Sequence, residues 1–163
     1  MKRVLVIGCP GSGKTTFAKK LQGITGIPLH HLDAIWHRAD RTHIERDEFD
    51  RILSKLLAEK AWIIDGNYGR TLEMRLKECD TVFLFDLPAE VSLQGAMERI
   101  GKKRDDIPWF EKVLDPEFQR WILSFSAKVL PKIYGLLEKY GSEKEIIIFK
   151  SRKEADDFLK SLP

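Results

Sequence analysis

Five aliphatic runs punctuate the chain, and helical periodicity fills most of the spaces between them. "RVLVI" near the start, "AWIID", "TVFLFD" and "EIIIF" are continuous enough to be strands covered on both faces, and a shorter strand ends near "PLHHLD". Between them, Phe17, Ala18 and Leu21 share one helical face, as do Phe49, Ile52, Leu53, Leu56 and Leu57. Leu93, Met97 and Ile100 predict the inner face of a later helix. Phe118, Trp121, Ile122 and Phe125 form a stripe on the last long one, expected to be core, which Pro131 should break or kink. Ser151 and Glu154 form a capping-box pattern opening a final helix that turns Ala155, Phe158 and Leu159 inward. Strand and helix in alternation predict an α/β fold: three layers, with a parallel five-stranded sheet between helices and right-handed crossovers.

Length and charge narrow this picture. At 163 residues the chain suits a single domain, 1–163. A net charge of +3, with Lys and Arg interleaved among Asp and Glu, supplies no basic stripe, so nucleic acid is not an expected partner. Cys9 and Cys79 lack a CxxC spacing and read as reduced, buried filler. The apolar start is four residues long and ends in glycine, too short for a signal segment or a membrane span. A cytoplasmic protein without a membrane partner is expected, and nothing in the pattern selects an oligomeric state.

The chemistry begins where the first strand ends, in "VLVIGCPGSGKTTFAKKL". Gly8, four residues, then Gly13, Lys14 and Thr15 match the GxxxxGK(S/T) phosphate-binding loop after a strand and before a helix. Such a loop curls so that successive N–H groups, with the helix N-terminus, face phosphate oxygens. Pro10, Gly11 and Ser12 complete it and Thr16 follows. Lys14 is expected to reach the β- and γ-phosphates of ATP, and the Thr15 hydroxyl to bind Mg2+. No NKxD guanine motif is present, and the chain is short for a ring-forming or transporter ATPase, so a small kinase remains.

From these residues outward the sequence resembles the adenylate kinase group of small P-loop kinases. "WIIDGNYGRTL" is similar to that group's strand and DGFPRT, with one extra residue before the arginine, and "VFLFDLPAEVSLQGAMERIGKKR" to its fourth strand, turn, helix and lid entry. The resemblance spans about residues 3–105. More closely, "HLDAIW", "WIIDGNY" and "FQRWI" resemble small bacterial proteins labelled DNA topology modulation proteins, themselves kinase-like in motif. The resemblance implies that Asp65 holds Mg2+ through water and that Arg70, with Asn67 and Tyr68, lies on the acceptor side. It further implies that Arg99 packs near base and phosphates and that Lys102, Lys103 and Arg104 open a short lid, about 101–116. Arg120 is the implied cation from the far side. An acceptor-binding segment is expected at about 33–60.

"HHLDAIW" ends the second strand and should face that acceptor pocket. Asp33 suits a hydroxyl acceptor, whose proton it can take, whereas Arg70 suits a phosphate; both stay open. His31 is expected to contact the acceptor, and Trp36 and Tyr68 to stack on a ring. His30, His31, Asp33 and His37 match no usual zinc spacing. Asp86, two residues before Pro88, reads as a helix cap. Trp109 and Phe110 fit a lid or a partner-facing surface equally well. The function expected is an ATP-dependent small-molecule phosphotransferase using Lys14, Asp33, Arg99, Arg104 and Arg120. The alternatives are a nucleotide-binding regulator with little turnover and, following the group's label, a DNA-associated protein.

Overall fold

The aliphatic runs assemble into one sheet. The computed structural model describes residues 1–163. It runs β1 (Arg3–Gly8), α1 (Lys14–Thr25), β2 (Leu29–His31), α2 (Leu32–Trp36), α3 (Arg46–Leu57), β3 (Trp62–Asp65), α4 (Gly69–Glu78) and β4 (Thr81–Phe85). The chain continues through α5 (Ala89–Glu98), α6 (Pro116–Lys128), α7 (Leu130–Tyr140), β5 (Glu145–Phe149) and α8 (Arg152–Ser161). Strand order is β2-β3-β1-β4-β5, and every neighbouring pair is parallel. The strands therefore end at one common edge. At that edge Val6 and His31 both stand in register with Asp65.

Alternation along each strand divides the core in two. Val4, Val6, Ile63, Phe83 and Phe85 join Phe17 of α1 and Leu159 of α8 on one face. Leu5, Ile7, Ile64 and Leu84 join residues of α3, α4, α6 and α7 on the other. This is the three-layer α/β arrangement that the sequence predicts. Phe17 makes edge contacts with Phe83, Phe85 and Phe149 at ring separations of 4.9, 5.4 and 5.3 Å. These contacts lock α1, which the phosphate loop feeds, onto the sheet. No helix is long and apolar enough to cross a membrane.

Two local expectations change. Met97 is 56% exposed, and α5 instead buries Ser92, Gly95 and Ala96. The reason is a backbone approach: a Cβ on Gly11 would stand 2.0 Å from the Ser92 carbonyl oxygen, and one on Gly95 would stand 2.1 Å from that of Gly11. Only small residues fit where α5 presses on the phosphate loop, so of the predicted face Leu93 packs against the core while Met97 faces out. Asp86 does not cap α5, whose N-cap is Pro88 without a side-chain bond. Its carboxylate accepts from Tyr134 (2.5 Å) and pairs with Lys150, tying β4 to α7 and to the end of β5. Pro131 occupies the first turn of a new helix, where its missing N–H costs nothing, so the expected break falls at Val129. Ser151 accepts from the Glu154 N–H at 3.2 Å and caps α8 as its sequence pattern predicts.

The α5 approach generates a stability prediction. Gly95→Ala is expected to cost about 1–3 kcal/mol by overpacking, lowering Tm by roughly 2–12 °C for a chain of this size. Thermal unfolding followed by circular dichroism checks it, and an unchanged Tm would show that α5 has room to recede.

Candidate active site

The loop from Gly8 to Gly13 leads into α1 through Gly13, whose φ of 105° no side-chain residue adopts readily. Lys14 turns back inside the loop, its Nζ donating to the Cys9 carbonyl at 3.0 Å. Burial holds its pKa below the ordinary lysine value, against the pull of Asp65 and Asp33. Ser12 Oγ is buried without a partner. A cavity of about 370 Å³ opens over Gly13, Lys14, Thr15 and Thr16. Arg99, Lys102 and Arg152 complete a cationic wall suited to phosphates. Arg152 Nη2 donates to the Gly11 carbonyl at 2.9 Å.

Asp65 is the hinge of the site. Its Oδ2 accepts from Thr15 Oγ1 at 2.7 Å and lies 3.0 Å from His31 Nδ1, while Oδ1 is buried without a partner. A hydroxyl and a carboxylate with an unused oxygen are hard donors of the kind Mg2+ takes. Thr15 and Asp65 therefore fit the metal that a nucleoside triphosphate carries.

Beyond them lies a second cavity of about 540 Å³. Asp33, in the first turn of α2, projects into it and accepts from the Tyr68 hydroxyl at 2.6 Å. Tyr68 sits at φ 30°, left-handed for a residue with a large side chain, so its position is imposed rather than preferred. The imposing group is Arg75, fully buried, which donates to the carbonyls of Gly66 (2.8 Å), Asn67 (2.6 Å) and Tyr68 (2.9 Å). Burial and the Asp33 charge push the Tyr68 phenol well above its usual pKa, so it donates throughout the physiological range. Asn67 Oδ1, buried and unpartnered, also lines this cavity. His37, Trp109, Phe118 and Trp121 give it an aromatic wall, with Trp109 edge-on to His37 at 5.0 Å. Burial lowers the His37 pKa.

Several expected site residues lie elsewhere. Arg70 is exposed and forms a two-pronged pair with Asp50 of α3, at 2.9 and 2.6 Å, facing away from the second cavity. Trp36 stacks on His43 at 4.4 Å and packs edge-on to Phe49, so its ring is part of the core margin. Arg120 is exposed on α6 and lines neither cavity. Arg104 does line the second cavity, yet Asp106 (2.9 and 2.5 Å) and Glu111 (2.9 Å) neutralise it. Arg99 lines both cavities with its Nε buried and unpartnered. Sequence reading missed Arg75, Arg152 and the cavity-facing role of Phe118 and Trp121. The one available signal was the odd charge of Arg75 between Met74 and Leu76 on a helical face.

The loop anchor is testable by itself. Arg75→Leu leaves the Gly66 and Asn67 carbonyls unpartnered, Tyr68 keeping its bonds from Thr71, and is expected to cost at least about 2 kcal/mol. Arg75→Lys should recover less than half, because an ammonium lacks the planar fork that spans three acceptors. Urea denaturation of both variants measures this, and full rescue by lysine would reject the fork argument.

No family model matches the chain. It is 28% identical to an adenylate kinase of Thermotoga maritima over 153 residues, covering 90% of this chain and 69% of that protein. An adenylate kinase of Thermotoga neapolitana is 27% identical over 156 residues, with the same coverages. One of Thermotoga petrophila is 32% identical over 88 residues, 53% of this chain and 39% of that one. Among solved structures, an unliganded sugar kinase of Janibacter sp. HTCC2649 superposes with a TM-score of 0.52 at 19% identity, covering 98% and 91% of the two chains. Distant adenylate kinase relatives and this structural likeness agree on a small kinase-like P-loop fold.

Proposed function

We propose that the protein transfers the terminal phosphoryl group of Mg-ATP to a small acceptor. One observation carries this reading: the two cavities meet at Lys14, Thr15 and Arg99, which line both. A nucleotide seated on the loop would point its terminal phosphate through that junction toward Asp33. A nucleotide switch has no need of the second cavity. The adenylate kinase relatives support the same class of chemistry and ATP as the donor.

Each residue then has a role that follows from its surroundings. Loop N–H groups and Lys14 hold the β- and γ-phosphates, and Arg99, Lys102 and Arg152 neutralise charge on the donor side. Thr15 and Asp65 would hold Mg2+, Asp65 through water; the ion, when bound, offsets charge between the phosphates. Residues 101–115 cover the second cavity through Arg104, Ile107 and Trp109, acting as a lid that shapes the space offered to the acceptor. Positioning and preorganised charge supply most of the catalysis in such a site.

Lys14→Ala is expected to abolish acceptor-dependent ADP release in a coupled assay, and retained transfer would reject the site. Nucleotide affinity should also depend on pH through Lys14. Burial makes the free amine shed its proton below the ordinary lysine value, whereas phosphate oxygens favour the charged form. Binding therefore takes up a proton, and Mg-ATP affinity should weaken as pH rises toward the ordinary lysine range. Titration calorimetry across that range checks the sign, with Lys14→Arg expected to bind with little pH dependence.

A further inference from the structure

We propose that the acceptor presents a hydroxyl group, not a phosphate, at the junction of the two cavities, and that Asp33 takes its proton. The inference rests on the phosphotransferase reading and deepens it. It comes from tracing where each cation near the acceptor cavity spends its charge.

A phosphate that accepts a phosphoryl group must lie against the terminal phosphate of the nucleotide, so two multiply charged groups meet. Guanidinium groups, which grip such anions with paired bonds, are the usual remedy. Here every guanidinium near the acceptor cavity except that of Arg99 is already occupied. Arg70 gives both terminal nitrogens to Asp50. Arg75 gives its N–H groups to the carbonyls of residues 66–68 and of Thr71. Arg104 is divided between Asp106 and Glu111. Arg99 and Lys14 also face the donor cavity, where the triphosphate needs them. Lys128 and Lys132 remain, but both are exposed on α6 and α7. They can meet the far end of an acceptor, not the atom that attacks.

What faces the junction instead is a carboxylate. Tyr68 donates to one Asp33 oxygen at 2.6 Å and holds the side chain still, while the structure gives the other oxygen no partner. That charge would repel a phosphate and suits the proton of a hydroxyl. Asp65, the neighbouring acid, is engaged by Thr15 and His31 and assigned to the metal. Ile107, Trp109, Phe118 and Trp121 present apolar surface to the body of the acceptor, which is the environment of a neutral molecule with a flat or apolar part.

The step balances as follows. The acceptor oxygen forms a bond to the γ-phosphorus as its proton passes to the free oxygen of Asp33. The bond from that phosphorus to the β,γ-bridging oxygen breaks, and the electron pair leaves with the nucleoside diphosphate. The product is a phosphate monoester, and Asp33 later returns its proton to solvent.

Water, the smallest hydroxyl acceptor, makes the proposal testable before the natural one is known. ADP release from Mg-ATP is followed for wild type and Asp33→Asn, first with water alone. It is then followed with adenosine, ribose, glycerol and benzyl alcohol, and finally with AMP, CMP, GMP and UMP. Asparagine keeps an oxygen for Tyr68, so Mg-ATP should bind within about threefold of wild type while release with water falls on the order of 100-fold, the low end of a general base's contribution. Tyr68→Phe, which loosens Asp33 without removing it, should lose roughly tenfold. None of the four monophosphates should form a phosphoanhydride detectable by phosphorus NMR. A phosphoanhydride from any of them overturns the proposal, as does release with water that is absent or unchanged in Asp33→Asn. Either result leaves the phosphotransferase reading standing so long as Mg-ATP binding depends on Lys14. Binding that ignores Lys14→Ala overturns the underlying reading itself.

Discussion

The row Val6, Asp65, His31 across the sheet fixes where every chemical group can be. Because all five strands run parallel, each ends at the same edge, and the segment that follows each can deliver a side chain there. After β1 come Lys14 and Thr15, after β2 Asp33, after β3 Tyr68, after β4 Arg99 and after β5 Arg152. Asp65 lies in the middle of the row, on the second of the five strands, with its Oδ2 doubly engaged and its Oδ1 buried and bare. A buried carboxylate oxygen without a partner is costly. Lys14, whose Nζ is bonded to the Cys9 carbonyl, feels the Asp65 charge across space and offsets part of that cost. The register therefore brings a hydroxyl and a carboxylate with one unused oxygen together at the strand ends.

A second constraint is steric. Gly11 and Gly95 let the backbone of α5 touch the backbone of the phosphate loop, so the loop is braced by a helix and not by side chains that could change rotamer. The brace also places the end of α5, and with it Arg99, over the junction between the cavities. Arg152 secures the loop from the other side through the carbonyls of Gly11 and Ser12. Loop, α5 and α8 are thus tied to one another by backbone approach and by hydrogen bonds.

The strands, their parallel direction, their cover on both faces and the glycine-rich loop were legible because they rest on local or continuous signals; the strand order was not. "VLVI" can only be buried on both sides, and GxxxxGKT dictates its own turn. What stayed hidden depends on pairings far apart in sequence. Nothing in "NYGRTLEMR" tells which arginine is buried; Arg70 finds Asp50 twenty residues earlier, and Arg75 reaches back to carbonyls seven to nine residues away. Periodicity failed on α5 because the packing partner is backbone, which selects for smallness and not for apolarity. The stripe on α6 was half right: Ile122 and Phe125 are core, but Phe118 and Trp121 lie at the stripe's edge, where a helix that borders a cavity shares its face with it.

The distribution of charge separates the duties of the two halves. Residues 101–115 bring one guanidinium to the acceptor cavity, and they bring its counter-ions with it: Asp106 is buried against Arg104, and Glu111 closes the pair while its carbonyl accepts from the Gly101 N–H at 2.7 Å. A cation so compensated can shape a wall but has little charge left to lend to a developing phosphoryl transition state. The cations at the junction without a carboxylate partner, Lys14 and Arg99, come from the phosphate loop and from the residue that ends α5. Unpaired positive charge at the junction thus comes from the base of the fold, and the covering segment contributes shape. Arg104 and its two counter-ions form a compensated cluster within residues 101–115, one that shapes the cavity wall without adding net positive charge to it.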